Sequence, residues 1–164
     1  MLINLKNKDT LEFDEFKFKC SIGKNGFKKN KIEGDKCTPI GLFDLGIVYY
    51  RPNRVSKPQT LLKTKIIRKN TAWCDDSSSK FYNKEIKINK FINHEKLYRK
   101  DNKYDILLVI KYNYKKVILG KGSAIFIHVA KRNYQNTKGC IAIKKNKLLE
   151  ILKVIKRNTR VKVV

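Results

Sequence analysis

The chain has 164 residues, the length of one domain, and that is enough to bury a core without disulfide or metal support. Apolar residues make up 41% and charged residues 32%, which excludes a disordered chain, and the longest apolar runs fall far short of the roughly 18–20 residues that span a bilayer. Lys and Arg number 39 against 14 Asp and Glu, a formal charge of +25 that favours polyanionic partners, although the basic residues are spread evenly among abundant Asn and Ile.

In chain order the pattern is mostly strand. Leu11 to Ser21 alternates apolar and polar residues, with a slip between Phe13 and Phe16 that predicts a turn or bulge near Asp14-Glu15. Gly23-Lys24-Asn25-Gly26 is a predicted turn, because Gly and Asn tolerate positive φ. Further strands are predicted over Gly41–Tyr50, Leu61–Arg68, Tyr104–Tyr112, Val117–Leu119 and Ala124–Val129. One helix follows, since Leu148, Leu149, Leu152 and Ile155 fall at helical spacing with Asn146 as N-cap. Asn158-Thr159 ends it, and Arg160 to Val164 reads as a final strand. No repeat or low-complexity linker divides the chain, so residues 1–164 form one expected domain.

Met1 to Lys8 contains neither an apolar signal segment nor a small-residue cleavage site, so a cytoplasmic location is expected if Met1 is the native start. Cys20, Cys37, Cys74 and Cys140 form no CxxC pair, which argues against a zinc site or a thioredoxin motif. No residues have metal-ligand spacing, and no cofactor is expected. Gly120-Lys121-Gly122 lacks the Gly-Lys-Ser/Thr of a phosphate loop and leads into a strand, so it is predicted to be a turn. Asp75-Asp76, between Trp73 and Ser77-Ser78-Ser79, is predicted to be a loop that bonds its own backbone. His94-Glu95 is read as the start of a helix or turn.

One pairing could carry chemistry. Cys140 follows Gly139, whose backbone freedom permits a sharp turn that presents N–H groups beside the thiol, the elements of an oxyanion hole. A thiol needs a base to become a nucleophile at neutral pH. His128 lies twelve positions earlier in the apolar run Ala124 to Val129. The residue types also fit a small buried cysteine and a core histidine with no chemical role.

The ordered motifs resemble one family. Gly120-Lys121-Gly122-Ser123-Ala124-Ile125-Phe126-Ile127-His128, followed by Thr137-Lys138-Gly139-Cys140-Ile141-Ala142, is similar to the catalytic core of the L,D-transpeptidase (YkuD-like) family. That family carries a histidine on a strand and then Ser/Thr-x-Gly-Cys. Cys20 to Gly26, Glu33-Gly34-Asp35 with Thr38-Pro39-Ile40-Gly41, Trp73 with Asp75-Asp76 and Tyr82-Asn83, and His94 to Tyr98 resemble it in the same order. Lys138 stands where the best-known members have histidine, Ala142 where they often have Asn or Arg, and the interval from His128 to Cys140 is shorter than theirs.

The resemblance implies a mostly-β (α+β) fold of mixed sheets, a sandwich or cradle around one helix, with Cys140 and His128 facing across a cleft. It implies a cysteine acyltransferase acting on peptidoglycan tetrapeptide stems or muropeptides through a thioester. Cys140 would be the nucleophile and His128 the proton acceptor and donor, with the backbone N–H groups of Gly139 and Lys138 helping to hold the oxyanion. An amine acceptor gives a 3→3 cross-link; water gives an L,D-carboxypeptidase that trims tetrapeptides to tripeptides. The family also implies the cell envelope or periplasm as an alternative location. A basic module for nucleic acid or another anionic polymer is the remote alternative, with no helix-turn-helix, zinc-finger or RNP signature behind it, so no nucleic-acid partner is expected.

Overall fold

The computed structural model describes all 164 residues. It contains β1 (Leu2–Leu5), β2 (Thr10–Phe13), β3 (Phe16–Ser21), β4 (Phe27–Lys28), β5 (Thr38–Pro39), β6 (Gly41–Tyr50) and β7 (Thr64–Ile66). After these come β8 (Thr71–Cys74), β9 (Glu85–Lys87), β10 (His94–Lys96), β11 (Ile106–Ile110), β12 (Phe126–Val129), β13 (Ile141–Ile143), α1 (Lys145–Val154) and β14 (Arg160–Val163).

The main sheet closes on itself. Its order is β11-β12-β13-β3-β2-β1-β14-β6-β7, and β11 also pairs with β6, so eight strands form a ring and β7 is appended to it. The ten-residue β6 makes closure possible. Its first part, Gly41 to Asp44, pairs with β14, and its later part, Leu45 to Tyr50, pairs with β11. β1 and β14 run parallel with Leu2 opposite Arg160, as do β12 and β13 with His128 opposite Ala142.

Strand alternation fills the interior. Ile3 and Leu5, Leu11 and Phe13, Phe18 and Cys20, Ile106 and Leu108, Ile127, Ile141 and Ile143, and Val161 and Val163 form one buried cluster. The helix joins this cluster through Leu148, Ile151 and Leu152, and Ile155 just beyond its end joins it too. Burying one such side chain contributes about 1.5–3 kcal/mol. A second cluster lies on the outer face, where Leu107, Val109 and Phe126 meet Trp73, Leu97 and Tyr104. The separate sheet β10-β8-β9 covers this face, which explains why all five residues of β11 are buried.

The expectation of a mostly-β domain of mixed sheets with one helix agrees with this architecture. The sandwich does not: a closed sheet holds the helix, and the small sheet lies outside it. The slip after Phe13 is a two-residue connection with Asp14 at φ 50°. Val117–Leu119 is loop, not strand, because Asn113 organises the segment: its side chain donates to Ile118 O (3.0 Å) and Gly122 O (2.9 Å) and accepts from Ile118 N (2.8 Å). Asn146 is not the N-cap. Lys144 occupies that position without a side-chain bond, and the Asn146 carboxamide accepts from Lys147 N instead. The helix ends at Val154, before the predicted stop.

Candidate active site

The parallel ladder between β12 and β13 places His128 and Cys140 on the same outer face, with Cys140 one residue before β13 and adjacent to Phe126. The loop before Cys140 is clamped from several directions. Thr137 N donates to Ile22 O, Thr137 Oγ1 donates to Cys140 O (2.6 Å), and Thr38 Oγ1 donates to Gly139 O (2.9 Å). Gly139 sits at φ +137°, and a Cβ there would lie 2.8 Å from Cys37 O, so a side chain is excluded.

The Gly139 N–H donates to Thr137 Oγ1 at 3.0 Å, which turns it away from the oxyanion task expected of it. The N–H groups of Lys138 and Cys140 donate to no group of the protein.

Cys140 is 6% exposed. Its thiol donates to Ala124 O (3.1 Å) and its sulfur accepts from Phe126 N (3.4 Å). Burial raises its pKa to about 11, and the nearby Lys103 ammonium only partly opposes this. Ala124 itself is held at φ 53° by the buried Asn83 carboxamide, which accepts from Ala124 N (3.0 Å) and Trp73 Nε1 (2.9 Å).

His128 is 3% exposed, and burial, reinforced by Lys103, lowers its pKa to about 3. Nδ1 lies 3.0 Å from Val129 O, which can only accept, so Nδ1 carries the proton. Nε2 is therefore a free lone pair, and it is the one buried side-chain polar atom in the chain without a partner. The Tyr104 ring packs edge-on against the imidazole at 5.5 Å and donates its hydroxyl to Glu95 Oε1 at 2.5 Å. No hydrogen bond joins the thiol to the imidazole.

Two cavities meet here. One of about 530 Å³ is lined by Cys140, Ala124 and Ser123; another of about 240 Å³ is lined by His128, Val129 and Asn136. Glu95, Arg99, Lys103 and Lys138 line both. The larger cavity carries Lys31, Lys36, Lys96, Arg99, Lys103 and Lys138 against Glu33, Asp75 and Glu95.

Glu33 accepts from Tyr82 Oη and from Ser123 Oγ (2.7 Å), joining distant motifs on the cavity wall. Glu95 was given no place at the site by the sequence reading. Its segment is β10, not the start of a helix or turn, and Glu95 lies opposite Trp73 of β8. Asp76 does form the predicted self-bonding loop, accepting from Ser78 N and Oγ. Gly120 and Gly122 both have positive φ, as a turn requires. All four cysteines are free and buried, and no cluster of His, Cys, Asp and Glu is arranged to hold a metal. No helix is long and apolar enough to cross a membrane.

The sequence profile of the L,D-transpeptidase catalytic domain, YkuD, matches residues 2–163. The chain belongs to the L,D-transpeptidase catalytic-domain family. Among solved structures it is similar to the helical cell shape determining protein Pgp2 from Campylobacter jejuni, at TM-score 0.52 and 18% identity. The match covers 99% of this chain and 46% of that one, so the chain spans about half the length of that protein. A single-residue variant of Pgp2 matches with the same TM-score of 0.52 and the same 18% identity and coverage. The likeness in structure is one of fold. No curated protein matches the chain.

Proposed function

We propose that this L,D-transpeptidase-family domain catalyses acyl transfer from peptidoglycan tetrapeptide stems, with Cys140 as nucleophile and His128 as proton acceptor and donor. The observation that carries the reading is the free Nε2 lone pair of His128, buried on the face that also bears the Cys140 thiol. A buried imidazole nitrogen without a partner is costly to keep, roughly 1–3 kcal/mol, and a proton to be taken during reaction gives it a use.

The chemistry runs in two halves. Substrate entering the larger cavity displaces the thiol from Ala124 O, and rotation about χ1 brings the S–H to Nε2. The proton passes to His128 while sulfur attacks the carbonyl that precedes the terminal D-alanine, and the oxyanion is met by the N–H groups of Cys140 and Lys138. The C–N bond then breaks, His128 returns the proton to the departing D-alanine amine, and a thioester remains. In the second half an amine loses a proton to His128 and attacks the thioester, regenerating the thiol. The adjoining cavities against Cys140 and His128 give an acyl acceptor room beside the donor stem. The cationic excess of the larger cavity suits a stem rich in free carboxylates.

The test is incubation with disaccharide tetrapeptide, with D-alanine release and product mass followed together. Wild type is expected to release D-alanine and form a 3→3 dimer, whereas Cys140→Ala releases none. Tripeptide without dimer would reassign the reaction to L,D-carboxypeptidase hydrolysis, and full activity in Cys140→Ala would overturn the cysteine mechanism.

A further inference from the structure

The small sheet that covers the outer face of the barrel ends in two loops that carry the most exposed aromatic ring of the chain. One joins β8 to β9 and the other joins β9 to β10. They are tied together where Asp75 N donates to Asn93 O and Asn93 N donates to Asp76 Oδ2. Phe91 is 82% exposed, the most of any large apolar residue, and Phe81 and Ile88 are 41% and 39% exposed.

A lysine accompanies each aromatic: Lys80 Nζ lies 5.3 Å from the Phe81 ring centre and Lys90 Nζ lies 5.1 Å from that of Phe91. Lys84 and Lys87 are also exposed. Beyond Asp75 and Asp76 at the loop roots, the sole carboxylate up to residue 93 is Glu85, and it is already engaged by Tyr49 Oη (2.6 Å) and Lys65 Nζ (2.8 Å). The loops therefore present aromatic and aliphatic side chains in water, ringed by unpaired cations.

We infer that these loops dock the protein on a bilayer surface that carries anionic phospholipid, with Phe81, Ile88 and Phe91 entering the headgroup–acyl boundary and Lys80, Lys84, Lys87 and Lys90 meeting lipid phosphates. An acidic polymer in water would satisfy the lysines but give Phe91 no reason to stand clear of the fold. A lipid interface satisfies both, because lysine stems reach along apolar surface while their ammonium groups stay among headgroups. Asp75 and His94, at the roots of the two loops, line the Cys140 cavity, so docking sets the cavity mouth beside the membrane. The inference stands on the exposed loops and does not depend on the chemistry assigned to Cys140.

Vesicle co-sedimentation of the full chain tests it. Binding is expected to vesicles of phosphatidylcholine with phosphatidylglycerol and to be weak on phosphatidylcholine alone. Each lysine of the loops changed to Gln is expected to weaken binding roughly 5-fold, and Phe91→Ser about tenfold. The four lysines and Phe91 are exposed, so these variants are expected to melt with wild type. Phe91→Trp gives a direct readout of insertion, a blue shift of its emission on adding anionic vesicles. Three results would each overturn the inference: no shift in Phe91→Trp, an equal loss on changing Lys17 and Lys19 of β3, outside the small sheet (diffuse charge alone), or concentration-dependent self-association through Phe91 without vesicle binding.

Discussion

At Cys140 burial raises the pKa from 9.0 to about 11, and at His128 burial lowers it from 6.5 to about 3, so both side chains are neutral through the middle of the pH range. The consequences for stability have opposite signs. Below 6.5 the unfolded chain binds a proton at His128 that the folded chain refuses until about pH 3, so this contribution is lost as pH falls through that window. Above 9.0 the unfolded chain releases the Cys140 proton that the folded chain keeps until about 11, so this contribution is lost as pH rises. Urea titrations across pH are expected to show a plateau between 6.5 and 9.0, with His128→Leu flattening the acid shoulder. An unchanged shoulder in that variant would assign it to other groups. Iodoacetamide labelling of Cys140 is likewise expected to be slow at neutral pH and to accelerate toward pH 11, unlike an ordinary exposed thiol.

At the scale of elements, Asn83 holds the site together more than any charged residue. It sits at φ 57°, and its carboxamide accepts from Trp73 Nε1 and Ala124 N while donating to Tyr112 O and Asn113 O. Asn83→Ala strands buried donors, each worth about 1–3 kcal/mol, and is expected to lower stability by about 2–5 kcal/mol in chemical denaturation. Because Ala124 O holds the resting thiol, the same variant is expected to lose activity even when refolded. Leu152→Ala, which opens a cavity inside the closed sheet, is expected to cost about 2–5 kcal/mol by the same measurement and to leave the site chemistry alone. These elements differed in how far the sequence disclosed them. β11 was legible because a strand buried on both faces reads as an unbroken apolar run, and β12 because only His128 interrupts one. β9 and β10 were not, since Glu85-Ile86-Lys87 and His94-Glu95-Lys96 are polar triplets that become strands only by pairing with β8. Cys140 and His128 were singled out by the family resemblance, since their residue types and spacing fit two core residues as well. Glu95 was not, because its place beside both cavities is set by a tyrosine nine positions away that the fold turns inward.

For the whole molecule, a formal charge of +25 on one domain is a source of self-repulsion, and the eleven ion pairs remove none of it, because that excess is what remains after every Asp and Glu has been counted. Salt screens that repulsion over about 8–10 Å, so the melting temperature is expected to rise between low and physiological ionic strength. A fall would show that the surface pairs dominate. The closed sheet explains why the sandwich expectation failed: closure depends on one long strand changing partners midway, and alternation within a strand is the same for a sandwich as for a ring. The seam between β1 and β14 carries a kinetic corollary. Residues 2–5 have no partner on one edge until residues 160–163 have left the ribosome, so the nascent chain must hold a bare, aggregation-competent strand while everything between the two segments is made.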